Sequence, residues 1–226
     1  MNTKTRVIAF YLPQYHPIPE NDKWWGKGFT EWTNVAKAKP LFKGHHQPHI
    51  PADLGFYDLR MAEIREQQAE LAREAGIEGF CYWHYWLGKG KRLLERPFNE
   101  VLESGKPDYP FCIGWANETW SNRSWKAKSA SIKDATLMEQ TYVESEYDDH
   151  FYDVLPAFKD KRYITVDGKP LFVVFSPYSI PDIEKFINRW RELAAKNGLL
   201  GIHFVGITNN ISLRQIGSYN TGTARI

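Results

Sequence analysis

The stretch 111–120, FCIGWANETW, decides how the rest of the chain is read. Phe111 to Ala116 is a short apolar run, the pattern of a strand covered on both faces. It stops at Asn117-Glu118, so a carboxylate stands where a rigid core strand gives out. Trp115, Trp120 and Trp125 flank it in sequence. Parallel α/β folds place their reactive groups at such strand ends. A solvated loop carboxylate is the plain alternative for a single Glu. The tryptophan cluster, and similar strand ends elsewhere, favour a functional one.

Working outward, Gly79 to Trp86 (GFCYWHYW) is a second strand. Alternation puts Phe80, Tyr82, His84 and Trp86 on one face and Cys81, Trp83 and Tyr85 on the other. Val7 to Leu12 is a third strand, ending at Pro13-Gln14-Tyr15-His16. On the C-terminal side, Asp167-Gly168 signals a hairpin leading into Leu171 to Ser176, which ends at Ser176-Pro177-Tyr178. Gly201 to Ile207 is the fifth strand, running into Thr208-Asn209-Asn210.

Helical patterns lie between these strands. Asp58 to Ala75 is capped by Asp58 and stopped by Gly76, and Pro97 to Ser104 is closed by Gly105. Glu146 to Phe158 contains Pro156, expected to kink or end it. Pro181 to Asn197 lines up Ile183, Phe186, Ile187, Trp190, Leu193 and Ala194 on one face. The connection from Pro17 to Tyr57 is too aromatic for disorder and reads as a loop forming a lid or wall over the strand ends. Ile211 to Ile226 shows no strong pattern.

This alternation implies an α/β fold with a parallel sheet and right-handed crossovers. Five strands suit an open doubly wound sheet or part of a (β/α)8 barrel. No GxGxxG follows a strand, so a dinucleotide site lacks its main support.

A chain of 226 residues fits a single domain. Its net charge of +2 without a basic block argues against nucleic acid or an anionic membrane surface as the main partner. Trp24, Trp25 and Trp32 form one tryptophan group, Trp83 and Trp86 a second, and Trp115, Trp120 and Trp125 a third, as a binding cleft would gather them. Cys81 and Cys112 fall in apolar strands and make no disulfide framework. With no secretory or membrane-spanning stretch, the expected location is cytoplasmic.

With parallel strands, one rim carries Gln14, Tyr15 and His16; His84 and Trp86; Asn117, Glu118 and Trp120; Ser176 and Tyr178; and Asn209. Aromatic faces between carboxylate, amide and imidazole groups suit an oligosaccharide or polysaccharide. Sugar C–H faces stack on the rings, while hydroxyls need donors and acceptors. Glycoside cleavage ordinarily uses two carboxylates. Glu118 is the first candidate, and Glu31 in GFTEW the second, with Trp24, Trp25 and Trp32 of the same segment as sugar contacts. Pairing of Glu31 with Lys27 or Lys37 is the bland reading. His45, His46 and His49 lack the HExxH arrangement and read as surface histidines that order the loop, so neither metal nor cofactor is expected. His84 is equally a hydrogen-bonded core histidine or a substrate contact.

The segments AFYLPQYHPIPEND, WWGKGFTEW, HHQPHIPADLGFYDL, GIEGFCYWHYW, WANETW and DGKPLFVVF together resemble the WbsX family, encoded with bacterial lipopolysaccharide and O-antigen genes and described as glycoside hydrolase family 99-like. The resemblance implies a (β/α)8 TIM barrel acting on glycans. The related endo-mannosidases are retaining enzymes with two carboxylates close together after a barrel strand, and Glu118 corresponds to one by motif position. Where they carry the second, a few residues onward, this chain has Ser121, Asn122 and Arg123. Five strands also fall short of eight, so residues 1–226 are expected to be one family 99-like domain, incomplete on its C-terminal side. The expected function is a glycoside-hydrolase-type enzyme acting on a bacterial polysaccharide or O-antigen glycan. The alternatives are a glycosyltransferase of lipopolysaccharide/O-antigen biosynthesis, although only the weak Asp148-Asp149 pair approaches a DxD motif, and a non-catalytic glycan-binding module.

Overall fold

Each of the five long apolar runs becomes a strand of one parallel sheet. The computed structural model describes residues 5–122, 135–207 and 223–224. Trp125, Arg123 and Asn209 lie outside the described residues. The strands are β1 (Ile8–Tyr11), β2 (Gly79–Trp86), β3 (Arg92–Leu93), β4 (Phe111–Trp115), β5 (Trp120–Ser121), β6 (Thr136–Met138), β7 (Thr165–Val166), β8 (Lys169–Val174), β9 (His203–Ile207) and β10 (Thr223–Ala224).

The main sheet has the order β1-β2-β4-β8-β9-β10, every neighbour parallel. The short strands β3 and β7 are antiparallel appendages on β2 and β8, and β5 and β6 pair apart from the sheet. Spatial order therefore follows chain order throughout. A doubly wound sheet reverses direction part-way; this one never does, which is the winding of a barrel. Among the described residues the sheet does not close on itself. β10 makes a sixth parallel strand in a tail read as patternless, because two residues are too few to show a period.

The helices are α1 (Pro19–Trp25), α2 (Glu31–Lys37), α3 (Ala62–Glu74), α4 (Arg96–Ser104), α5 (Tyr147–Phe158) and α6 (Ile183–Lys196). α5 and α6 press Phe151, Phe158, Phe186 and Trp190 onto Phe172 of β8 and Phe204 of β9. Trp190 is fully buried and its indole N–H donates to the Tyr147 carbonyl at 2.9 Å. Burying each such side chain stabilises the fold by about 1.5–3 kcal/mol.

Three expectations change. The segment 17–57 is not a structureless loop: it holds α1 and α2. Pro19 opens α1, and the Thr30 hydroxyl caps α2 by accepting from Trp32 N. α3 begins at Ala62 instead of Asp58; Asp58 opens a separate turn ahead of it, its carboxylate accepting from Arg60 N and its carbonyl from Met61 N. Pro156 does not break α5, which ends two residues later at Phe158.

Candidate functional site

The end of β4 is fastened on both sides. Ala116 N donates to His84 O of β2 at 3.0 Å, and Phe175 N donates to Trp115 O at 3.0 Å. One residue on, the Asn117 side chain takes over as a surrogate strand. Its Oδ1 accepts from Ser176 N at 2.7 Å, and its Nδ2 donates to Ser176 O at 2.8 Å and to Tyr142 Oη at 3.0 Å. The Tyr142 hydroxyl donates back to Asn117 O at 2.8 Å. Asn117 is completely buried, so the expectation that it contacts substrate is corrected: its amide is consumed by the clamp. Glu118 is the first residue released from it. Its N–H closes a tight turn on Ala116 O at 3.0 Å, and its side chain is exposed.

Glu118 lines a cleft of about 310 Å³. One wall is aromatic, with Trp83 and Tyr85 of β2, Trp120, and Phe175 beyond β8. Trp83 meets Phe175 edge-on at 5.5 Å, and Tyr85 meets Trp120 edge-on at 5.0 Å. Gly114 lets Trp83 lie across β4, since a Cβ there would sit 2.8 and 2.9 Å from Trp83 ring carbons. The opposite side comes from Gln14 after β1 and from Asn21, Trp25 and Phe29. Gln14 Nε2 donates to Tyr85 Oη at 3.2 Å, joining the two sides.

Burial sets the electrostatics. Partial loss of water raises the Glu118 carboxyl above its ordinary value. Glu31, the first residue of α2, is pushed up to about 7 by the same cause, with no cation contributing. Its backbone N–H donates to Gln14 O at 3.2 Å, yet its side chain does not line the cleft. The Tyr85 phenol, pushed up by burial, also feels the charges of Glu31 and Glu118.

Of the other expected contacts, Gln14, Trp25 and Trp120 line the cleft. Trp24 stands behind, edge-on to Trp120 at 6.0 Å. Tyr15 and Trp32 build a separate aromatic stack with Tyr57, at 4.6 and 4.9 Å from the Trp32 ring, and the Trp32 indole N–H donates to Tyr57 O at 2.8 Å. His16 is buried outside the cleft, and desolvation lowers its pKa. Tyr178 is exposed on a short 3-10 turn away from the cleft.

His84 and Trp86 are corrections. Both face the core, where His84 Nε2 lies 3.0 Å from His150 Nε2 and Trp86 stacks on the His150 ring at 4.8 Å. Burial lowers His84 to about 3 and His150 likewise downward. Asn21, Phe29, Trp83, Tyr85 and Phe175 are cleft residues that sequence reasoning missed as contacts. Alternation had already grouped Trp83 with Tyr85; the deciding fact is that α5 covers the other face of β2.

Among the described residues no group of three or more His, Cys, Asp or Glu side chains could hold a metal ion. His45 instead orders its loop, accepting from Leu41 N at 3.1 Å and stacking on Phe42. Cys81 and Cys112 are buried free thiols, opposite each other on β2 and β4. Among the described residues no helix is long and apolar enough to cross a membrane.

The model of the family described as Glycosyltransferase WbsX matches residues 7–224. This chain belongs to the WbsX family. Proteins named WxcX from two strains of Xanthomonas campestris pv. campestris are 42% identical to the WbsX chain over 197 residues, which are 87% of it and 28% of each relative. The chain thus spans little more than a quarter of the length of these curated relatives. Among solved structures, two of the glycoside hydrolase family 99 endo-α-mannosidase from Bacteroides thetaiotaomicron are similar. One, in complex with bis-tris propane, has a TM-score of 0.51 at 16% identity and the other 0.53 at 15%. Each comparison covers 92% of the WbsX chain and 53% or 56% of the mannosidase. At that identity the likeness establishes the fold, an α/β arrangement resembling these TIM barrels.

Proposed function

We propose that this chain is one glycoside hydrolase family 99-like domain acting on a bacterial polysaccharide or O-antigen glycan, with Glu118 as acid/base. The observation that carries the reading is the placement of Glu118. It is the first residue freed from a clamped strand end, in a cleft walled by Trp25, Trp83 and Trp120. Aromatic faces accept sugar C–H surfaces, and Gln14, Thr119 and Ser121 in the same lining supply polar groups for hydroxyls. A carboxyl raised by desolvation gives up and takes back a proton nearer neutrality, which suits general acid/base work.

Glu31 is the second carboxylate in this reading. Its pKa of about 7 lets it change charge at neutral pH, and its influence reaches the cleft through Tyr85. Cleavage by a carboxyl pair needs one protonated and one ionised partner. The proposed compartment is the cytoplasm, where both free thiols stay reduced.

A second reading, glycosyl transfer, is favoured by the description of the matched family. Thermal melts with oligosaccharides and with nucleotide sugars separate the two, because a ligand that binds only the native state raises the Tm. Glu118→Gln should abolish oligosaccharide turnover while leaving sugar binding intact. Undiminished turnover would remove Glu118 from the chemistry, and a Tm rise with a nucleotide sugar alone would replace hydrolysis by transfer.

A further inference from the structure

Asn21 is the third residue of α1 and only 1% exposed. Its Nδ2 has no hydrogen-bond partner among the described residues, although the residue lines the same cleft as Glu118 and Trp120. A buried donor left unpaired carries its full desolvation penalty, and such groups are rare in native structures. The contrast with Asn117 is direct: there, every amide hydrogen-bonding direction that the strand end needs is filled.

The backbone around Asn21 is held in place, so only the side-chain torsions need adjust to present the amide to a ligand. Asp22 N donates to Ile18 O at 3.0 Å, Gly26 N donates to Asp22 O at 3.0 Å, and Gly28 N donates to Asp22 Oδ1 at 2.8 Å. The Trp25 and Phe29 rings, 5.9 Å apart, line the same cleft as Asn21. We propose that Asn21 Nδ2 is the specificity-determining donor of the cleft, reading an acceptor oxygen on the bound sugar. This rests on the glycan reading above and narrows its substrate class.

The chemistry selects among sugars. An amide N–H meets a hydroxyl oxygen or an acetamido carbonyl, and the neighbouring rings accommodate an acetamido methyl. A protonated amino sugar brings only donors to that point, and a sugar carboxylate would lie in the field of the Glu118 side of the cleft. The ligand is therefore a neutral sugar carrying an acceptor oxygen at this position.

The test uses calorimetric titration at pH 5.5, where the amino sugar is protonated, with α-mannobiose, N,N′-diacetylchitobiose and the de-N-acetylated glucosamine disaccharide, alongside thermal melts. The wild-type chain should bind one of the two neutral disaccharides; mannobiose points to a hydroxyl acceptor and diacetylchitobiose to an acetamido carbonyl. Asn21→Leu should weaken that binding about tenfold or more, the effect of removing a hydrogen bond built for substrate. The same substitution should leave the Tm unchanged or higher, since it removes an unpaired buried donor. Asn21→Asp keeps the shape but exchanges donor for acceptor, and should lose binding equally, including where Asn21→Leu does not fold. Binding within twofold of wild type in the folded variants overturns the proposal, as does wild-type binding to the glucosamine disaccharide alone. A Tm several degrees lower in both variants would make Asn21 a structural residue. If the wild type binds none of the three sugars, the glycan reading itself fails and this inference falls with it.

Discussion

Asn117→Leu tests the surrogate strand directly. Leucine keeps the branched shape of asparagine, with greater bulk, but has neither its donor nor its acceptor, so Ser176 N–H, Ser176 C=O and the Tyr142 hydroxyl each lose a partner. A group left unpaired in a buried setting costs about 1–3 kcal/mol. Ser176 is only half-buried, and water can reach part of what is vacated. The net loss is therefore about 2–4 kcal/mol. For a chain of this size each kcal/mol moves the Tm by about 2–4 °C, so the variant should melt roughly 5–15 °C lower. Asn117→Asp should do no better: it keeps an acceptor for Ser176 N–H but sets an oxygen against Ser176 O. Circular-dichroism melts of the three proteins at one pH measure this. If Asn117→Leu melts within about 2 °C of wild type, the clamp is not what fastens the end of β4.

Two further outcomes follow from the same site. Glu31 has a folded-state pKa of about 7 against an ordinary 4.5, so between those values the folded state binds more protons than the unfolded. Its contribution is most favourable below pH 4.5 and is lost as pH rises through 7; Glu31→Gln should raise the Tm at pH 8, change it little at pH 4.5, and flatten the slope between, whereas an unaltered slope would show that Glu31 ionises in an open setting. Gly114→Ala should destabilise by about 1–3 kcal/mol in urea titrations, because its Cβ meets the Trp83 ring and Cys81 Sγ, and should weaken sugar binding by displacing Trp83 from the cleft wall. A substitution without effect on either would mean that Trp83 is not held against β4.

The strands were legible because a two-sided covering demands long apolar runs, and β2 and β4 are buried along almost their whole length. The position of Glu118 followed from where its run stopped. α1 and α2 were hidden for a physical reason: each is seven residues long, too short to repeat an apolar stripe, and only α2 has a side-chain cap. Asp58 resembled a helix cap because its carboxylate does accept a backbone N–H, that of Arg60, but in a turn that precedes α3. His84 and Trp86 carried the chemistry expected of a sugar site, and alternation correctly separated them from Trp83 and Tyr85. Which set faces the cleft depends on α5, whose His150 lies more than sixty residues downstream and reaches β2 only through tertiary packing. The Asn117 clamp was equally invisible, since its partners Tyr142 and Ser176 are distant in sequence.

The agreement between chain order and sheet order has a consequence for how the protein is made. Among the described residues each main strand after β1 pairs with the main strand that left the ribosome before it, so that partner is already made when the strand emerges. Loop-closure entropy grows only slowly with loop length, so even the long connection from β1 to β2, which holds α1, α2 and α3, adds modestly to the entropy of docking. Growth is directional, and the edge that advances during synthesis is always the C-terminal one.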